Sequence, residues 1–542
     1  MPPTATPEPP KLPMAPDRPA SPSGDEQKWK LDVKKLLEGM DAKDRLQCLA
    51  MANRVRIYKR LLVYVYVQLR YFQIDVSSIP SFTAHLASLE GWDGPKSLCK
   101  HDAIRRAIWE TLQTQGIQVK TNQFVHFLPE MLVLDENDIA LKVTTIIRDQ
   151  EQKQEFVALC MEEPVPVIGL LQMLLDHDLV PNESKMLLVQ TLARFAKMSA
   201  TYPNSLLLRG VKLQGTHPVA GGGYSDIWKG TLGSQSVALK AFRIFFNDTS
   251  RIKNKILKDF CHEAVMWRQL RHKNILPFYG VFQGDETFDR LCLVSPWSEA
   301  GNIVDFLTSH PDSDRILLLS DVVDGLCYLH SFDPPVVHGD LKGANIFVTH
   351  SGIACLGDFG LTRFRDSQDN NIWQSTTGNA SGTSRWTAPE LLASDVSGQN
   401  IRANRASDIY SFGCVCLEVF TGNPPFSEIL REAVVVMAII QKQTPQRPFG
   451  DCVKHGLDDS MWDMISQCWH ADPNLRPTVL QVSQFFRGKM GSLKENRTTV
   501  DDFPGAPSES LGQYGFSDEY VSHMTLQLVC LSFFRRTVPG SH

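Results

Sequence analysis

Several features are scarce in this 542-residue chain, and each absence excludes something. No apolar run approaches the roughly 18–20 residues that a membrane-spanning helix needs. The two closest, 61–67 and 526–534, are short, and the first runs into Gln68 and Arg70. The 12 cysteines are scattered, with no C-x-x-C pair and no knuckle spacing, so neither a disulfide frame nor a zinc site is expected. Neither sign of charge is in large excess: the formal net charge is −5, which demands neither nucleic acid nor an anionic membrane as principal partner. The N-terminal stretch "MPPTATPEPPKLPMAPDRPASPSG" lacks the basic-then-apolar order of a secretory signal. These absences together predict an intracellular, cytoplasmic chain with reduced thiols and no transmembrane span.

At this length, and at 43% hydrophobic residues, two or three globular domains are expected. Residues 1–27 are Pro-rich and poor in large apolar groups, which predicts a disordered tail. Residues 28–200 read as an all-α domain. "DAIRRAIWETLQTQG" places Ile104, Ile108 and Leu112 on one stripe, and "VIGLLQMLLDHDLVPNESKMLLVQTLARF" reads as two helices broken at Pro181. The basic-then-apolar segment 54–72 reads as a core helix or strand, with a membrane-surface helix as the alternative. From about residue 211 the pattern becomes short strands with glycine turns, one long helix and more strands, and after Asn302 it is mostly helical through Phe486. That order sets a strand-rich lobe before a helical lobe, over about 205–490, with a largely disordered tail at 491–542.

Residues able to support phosphoryl transfer recur along this region. Such chemistry needs a cradle for a polyphosphate, cations to neutralise it and a group to orient the acceptor hydroxyl. Gly221, Gly222 and Gly223 form a run whose backbone N–H groups can approach phosphates, although such runs are more often hairpin turns. In "SVALK", alternation puts Ala238 and Lys240 on one strand face and Val237 and Leu239 on the other. The following helix carries Ile256, Phe260, Glu263, Trp267 and Leu270 on one stripe, so Glu263 sits within the apolar face. A carboxylate there needs a cation, and Lys240 is the natural one; a snorkelling rim glutamate is the blander reading. In "VVHGDLKGANIFVTHSGIACLGDFG", Val336 and Val337 read as a buried strand leading to a loop with Asp340, Lys342 and Asn345. A second strand ends at Asp358, a good position for a hard-cation ligand. Either motif alone has a turn-chemistry explanation, but both in this order are hard to obtain by accident.

The ordered set resembles a eukaryotic protein kinase domain over about 212–487, roughly half of the chain. "HEAVMWRQLRHKNILPFYGVF", "GTSRWTAPE" and "MWDMISQCWHADPNLRPT" are most similar to the tyrosine-kinase-like branch, including its fungal members. The resemblance implies an α+β, bilobal kinase fold with a small β-rich lobe and a large helical lobe, here preceded by the all-α N-terminal domain. It implies ATP and Mg2+ as nucleotide and metal. Lys240 would hold the α- and β-phosphates and pair with Glu263; Asp340 would be the base or hydroxyl-orienting group, with Lys342 beside it; Asn345 and Asp358 would bind magnesium. Val219, Gly221, Gly222, Gly223, Ile227, Ala238 and Phe347 would surround the nucleotide, with Ser295 as gatekeeper and Pro296, Trp297 and Ser298 as hinge. Asp358, Phe359, Gly360, Thr383, Ala388, Pro389 and Glu390 would mark the activation segment, with Thr383 ordering Asp340 and Lys342. Asp408 and the Glu390–Arg476 pair would be structural braces.

Two positions depart from the family pattern. Ala220 and Ser225 stand at the first and third glycine positions of the phosphate loop, and Gly339 replaces the arginine that precedes the catalytic aspartate. The second departure implies weak control by activation-segment phosphates at Ser375, Thr376 or Thr377, unless Arg363 or Arg385 substitutes. Lys342, two residues after Asp340, is the serine/threonine arrangement. The expected function is ATP-dependent phosphorylation of protein serines and threonines in signalling, with a regulatory partner for the N-terminal helices. A pseudokinase scaffold is the competing class, and tyrosine or dual specificity a third.

Overall fold

The structure is a computed structural model, and it describes residues 95–98, 127–176, 180, 182–221, 225–243, 250–286, 288–358, 383–397, 401–490, 497 and 503. The Pro-rich head, the segment 54–72, the stripe at Ile104, Ile108 and Leu112, and the apolar run 526–534 lie outside these residues. Two compact units are distinguished, one of residues 1–97 and 103–139 and the other of 98–102 and 140–542. Besides a single helical turn at Pro95–Leu98, the N-terminal helices are α1 (Phe127–Arg148), α2 (Gln150–Glu162), α3 (Pro164–Asp176) and α4 (Asn182–Ser199).

The break predicted at Pro181 falls between α3 and α4. Asp149 caps α2 by accepting the Gln152 backbone N–H at 2.8 Å. Helix α3 is buried almost all round, with Val167, Ile168 and every residue from Leu170 to Leu175 in the interior. Such a helix cannot stand alone and must be enclosed by neighbours. Phe156 of α2 and Phe195 of α4 meet with ring centroids 5.6 Å apart.

A six-stranded antiparallel sheet follows: β1 (Val211–Gln214), β2 (Ala220–Gly221), β3 (Ser225–Leu232), β4 (Gln235–Phe242), β5 (Gly280–Phe282) and β6 (Cys292–Pro296). Its order is β1-β3-β4-β6-β5, with β2 on the free part of β3. Helix α5 (Ser250–Gln269) is inserted between β4 and β5. Strand alternation is clean: Trp228, Leu232, Val237, Leu239 and Ala241 bury into the lobe core, while Ile227, Ala238 and Lys240 take the opposite, half-buried face.

The second lobe contains α6 (Ile303–Ser309), α7 (Arg315–His330), the hairpin β7 (Ile346–Val348) and β8 (Ala354–Leu356), and then six helices. These are α8 (Pro389–Ser397), α9 (Arg405–Thr421), α10 (Glu432–Ile440), α11 (Asp451–Lys454), α12 (Asp459–Cys468) and α13 (Val479–Met490). Helix α9 is the centre of this lobe. It starts in a capping box at Asn404 and Ser407, is buried along nearly its whole length, and stops at Gly422 in the left-handed region. Arg497 reaches back to the lobe and donates to buried Asp321 at 2.6 Å.

Val336 and Val337 are buried as expected but form no strand of the sheets. Pro334 and Pro335 just before them carry no N–H, so ladder pairing cannot start there. The nine cysteines among the described residues are all free, and seven are buried. Burial pushes thiols such as Cys468 up to about 12, so they behave as small apolar side chains. Among the described residues no single helix is long and apolar enough to cross a membrane.

Candidate active site

Lys240 is the centre of the site on the sheet side. Its register opposite Ile227 and Leu293 places it in the middle of the half-buried face. Its Nζ donates to Glu263 Oε1 at 3.0 Å and makes a very short contact to Asp358 Oδ1. Burial works to lower the Lys240 pKa, but the Asp358 and Glu263 carboxylates outweigh it and hold the ammonium above its ordinary value. Glu263 is raised by burial, which the ammonium only partly offsets, whereas Asp358 is held low because Lys240 overcomes its burial. One cation thus ties the sheet, α5 and Asp358, two residues past the β7–β8 hairpin.

On the other lobe, the predicted loop residues converge. Asp340 Oδ2 accepts from Lys342 Nζ at 3.0 Å and from Asn345 Nδ2 at 2.9 Å. Asp340 Oδ1 is buried with no hydrogen-bond partner among the described residues. Lys342 Nζ also donates to Thr383 Oγ1 at 2.9 Å, joining the loop to the stretch that leads into α8. Asn345 and Asp358 lie at the same end of the hairpin, because Ile346 pairs with Leu356 and the Gly357 N–H donates to the Asn345 carbonyl at 2.9 Å. Gly357 is required there: a Cβ would sit 2.9 Å from the Phe347 ring.

The donor set suits a hard cation held mainly by its nucleotide. The described residues contain no cluster of three or more His, Cys, Asp or Glu that could hold a metal ion. One carboxylate and one amide oxygen, at Asp358 and Asn345, are what magnesium takes from a protein when phosphates and water supply the rest. Asp358 is only partly buried: Lys240 contacts its Oδ1 while 38% of the side chain stays exposed to solvent.

The nucleotide-side expectations are placed as follows. Ser295 is buried on β6 opposite Ala238, and the Trp297 N–H donates to the Ser236 carbonyl at 3.0 Å. Lys229 Nζ lies 4.8 Å from the centroid of the Trp297 ring. Pro296 ends β6, and Ser298 Oγ donates to the Val348 carbonyl at 2.6 Å. Phe347 is half-buried on β7, and Val219 is exposed with its N–H on the Ile227 carbonyl at 2.8 Å. Gly221 pairs with Asp226 across β2 and β3. Gly222, Gly223, Phe359, Gly360, Arg363 and residues 375–377 lie outside the described residues.

Both expected braces form contacts. Asp408, buried in α9, accepts the backbone N–H groups of His338 and Gly339, each at 2.9 Å, and lies 2.9 Å from His330 Nε2. Gly339 has φ +75°, a region where a side chain would be strained. Arg476 grips Glu390 with two parallel bonds of 2.7 and 2.8 Å, its side chain fully buried. Ala388 and Pro389 are buried beside them. Arg385 is engaged through all three nitrogens: it donates to Glu432 at 3.0 Å and to the carbonyls of Pro425, Phe426 and Ile429 at 2.7–3.0 Å.

Two contributors escape a sequence reading. Glu418 accepts the Gly343 N–H at 2.8 Å and the Trp386 indole N–H at 2.9 Å, so it clamps the Asp340 loop to the residues around Trp386. Burial lifts its pKa to about 6, against the pull of those donors. The signal was a lone carboxylate in the apolar run "CVCLEVF". Asp226 accepts from Arg243 Nε at 3.0 Å and from Arg290 Nη1 at 2.9 Å, and the Arg243 hydrogen bonds hold its pKa low. No local pattern announces that trio.

The site is thus framed by two lobes joined at β6, a lysine held by two carboxylates and an aspartate loop beside a hairpin end. Residues 213–486, just over half of the chain, match the family model described as protein tyrosine and serine/threonine kinase. The chain belongs to that family. Serine/threonine-protein kinase STY17 of Arabidopsis thaliana is 28% identical over 291 residues, covering 53% of this chain and 46% of that protein. Dual specificity protein kinase splA of Dictyostelium discoideum is 28% identical over 282 residues, covering 48% of this chain and 11% of that protein. The chain thus spans less than half of the length of either relative.

Proposed function

We propose that this chain transfers the γ-phosphoryl group of ATP to serine and threonine hydroxyls of proteins, inside the cell and in signalling. The single observation that carries this reading is Asp340: one carboxylate oxygen is fixed by Lys342 and Asn345, and the other is buried without a partner among the described residues. A buried free acceptor is costly unless something occupies it, and the hydroxyl of a substrate suits it. The acceptor oxygen bonds to the γ-phosphorus, the bond from phosphorus to the β-bridging oxygen breaks, ADP leaves with that electron pair, and the hydroxyl proton passes to Asp340.

Lys240 holds the α- and β-phosphates, kept charged by its carboxylate partners, and Glu263 fixes its direction. Lys342 balances charge beside Asp340. Asp358 and Asn345 would hold magnesium, which supplies neutralisation of phosphate charge. The Lys342–Thr383 contact and the naming of STY17 as a serine/threonine kinase favour serine and threonine over tyrosine. The competing reading, a scaffold without transfer, is disfavoured because all five groups at 240, 263, 340, 345 and 358 are in place.

The test is turnover of magnesium-ATP on a generic protein substrate, followed by phosphoamino-acid analysis. Wild type is expected to label serine and threonine, and Asp340→Asn to fall by about 10²–10⁴-fold. A wild type without turnover, indistinguishable from Asp340→Asn, would overturn the reading and leave the scaffold.

A further inference from the structure

Glu263 reaches Lys240 only if α5 lies against the sheet, so whatever holds α5 controls the pair. A helix resting on a sheet buries one stripe. In α5, all five consecutive residues from 263 to 267 are buried. Five residues exceed one 3.6-residue turn, so every face of the helix is covered there. The sheet accounts for one face, where Phe260 meets Phe242 with ring centroids 5.2 Å apart. Helix α4 packs along α5 and covers more of it.

The attachment is also polar, and it grips the C-terminal end of α5. Asp176, the last residue of α3, accepts from Arg268 Nε at 3.1 Å and from Arg271 Nη2 at 3.4 Å, with only 11% of its side chain exposed. Fully buried Gln172 accepts from Gln269 Nε2 at 3.1 Å. Midway along α5, Tyr202 meets Phe260 edge-on and contacts Gln283 through its hydroxyl. The chain then joins the sheet edge, where the Leu208 N–H donates to the Val281 carbonyl at 2.8 Å. That crossing needs glycine at 280, since a Cβ would lie 2.4 Å from the Leu206 carbonyl oxygen. His262 of α5 feels the same packing: burial and the nearby Lys197 charge hold its pKa at about 4.

We propose that α3, α4 and residues 200–208 form an activating clamp on the catalytic domain, and that Asp176 is a positioning residue for phosphoryl transfer, acting through α5 on the Lys240–Glu263 pair. This rests on the kinase reading above and gives the helical segment a sign: it promotes turnover. The segment makes these contacts only with α5 seated, so its binding energy shifts α5 toward the seated state. Asp176→Asn removes the charge that holds two arginines while keeping the shape of the side chain.

The test uses the full chain, myelin basic protein as substrate, and temperatures well below each variant's measured melting midpoint. Asp176→Asn is expected to lower kcat about tenfold with the KM for protein substrate unchanged. Asp176→Glu should restore kcat to within about threefold of wild type, since it keeps the carboxylate. Hydrogen exchange in the α5 peptide containing Glu263 should be faster in Asp176→Asn than in wild type. A wild-type kcat in Asp176→Asn, even with a lowered melting midpoint, overturns the proposal, as does a raised kcat. If wild type itself shows no turnover, the kinase reading fails, and the exchange measurement still decides the clamp: unchanged exchange overturns it. Should Asp176→Asn not fold, Gln269→Ala replaces it, with an expected kcat loss of about threefold and the same exchange readout.

Discussion

The catalytic loop and the phosphate loop serve the proposed reaction from opposite sides, and they are secured in opposite ways. At 338–343 the backbone is held by buried carboxylates of α9: Asp408 takes the N–H groups of His338 and Gly339, and Glu418 takes that of Gly343. These acceptors sit on the most enclosed helix of the lobe, so the loop cannot shift without stranding charges. At 219–227 the hairpin strand β2 is only two residues long and Val219 is 58% exposed. Its polar anchor is Asp226, whose partners Arg243 and Arg290 are 32% and 41% exposed. The loop proposed to take the hydroxyl is therefore set by the fold, and the hairpin proposed to take the nucleotide by contacts that water weakens.

That contrast can be broken at its strongest point first. Asp408→Ala strips two backbone N–H groups and His330 of their acceptor and is expected to destabilise the chain by about 3–5 kcal/mol in urea unfolding. A loss below about 1 kcal/mol would show that the loop is held by something else.

Glu418 sharpens the contrast with the opposite sign. Its folded pKa, raised from 4.5 to about 6, means the protonated form fits the fold better than the ionised one. Stability from this group is full below pH 4.5 and is lost as pH rises through about 6. Glu418→Gln, which keeps an acceptor for Gly343 and Trp386, should be more stable than wild type by about 2 kcal/mol at pH 7. The two should converge near pH 4.5 in the same unfolding experiment, and a pH-independent difference contradicts the assignment.

The phosphate-loop side predicts a smaller, kinetic effect. Asp226→Asn loosens the Arg243–Asp226–Arg290 anchor and should raise the KM for ATP about fivefold, with kcat within about twofold. An unchanged KM removes Asp226 from loop positioning. Smallest of all is phosphorylation at Ser375, Thr376 or Thr377, expected to change kcat by less than about threefold. Gly339 offers no cation, and Arg385 spends its donors on Glu432 and three carbonyls. A large activation in a mass-spectrometrically verified phosphoprotein would point to another cationic partner, with Arg363 the first to substitute.

Much of the site was legible from local periodicity. Alternation in "SVALK" put Lys240 opposite the lobe core, and the helical stripe put Glu263 in the apolar face, which favoured a pair over a snorkelling rim glutamate. Asp340, Asn345 and Asp358 were legible because short spacing around one hairpin leaves their side chains little choice of neighbourhood. The stripe accounted for Phe260, Glu263, Trp267 and Leu270, but Cys261, Ala264, Val265 and Met266 are buried as well. Their burial has its source outside the helix: α4, about 60 to 80 positions earlier in the chain, packs along it. Asp226, Arg243 and Arg290 were illegible for the same reason, being brought together across three strands.

Sequence alone determined which groups can bear chemistry and which faces must be hidden, because spacing of 2 or 3.6 residues is a property of the local backbone. Only the tertiary structure decided which buried carboxylate meets which donor, and that α4 packs along the helix carrying Glu263 while α3 holds its C-terminal end. Those are outcomes of long-range packing, where shape and the cost of an unpaired buried charge choose among partners that no local pattern distinguishes.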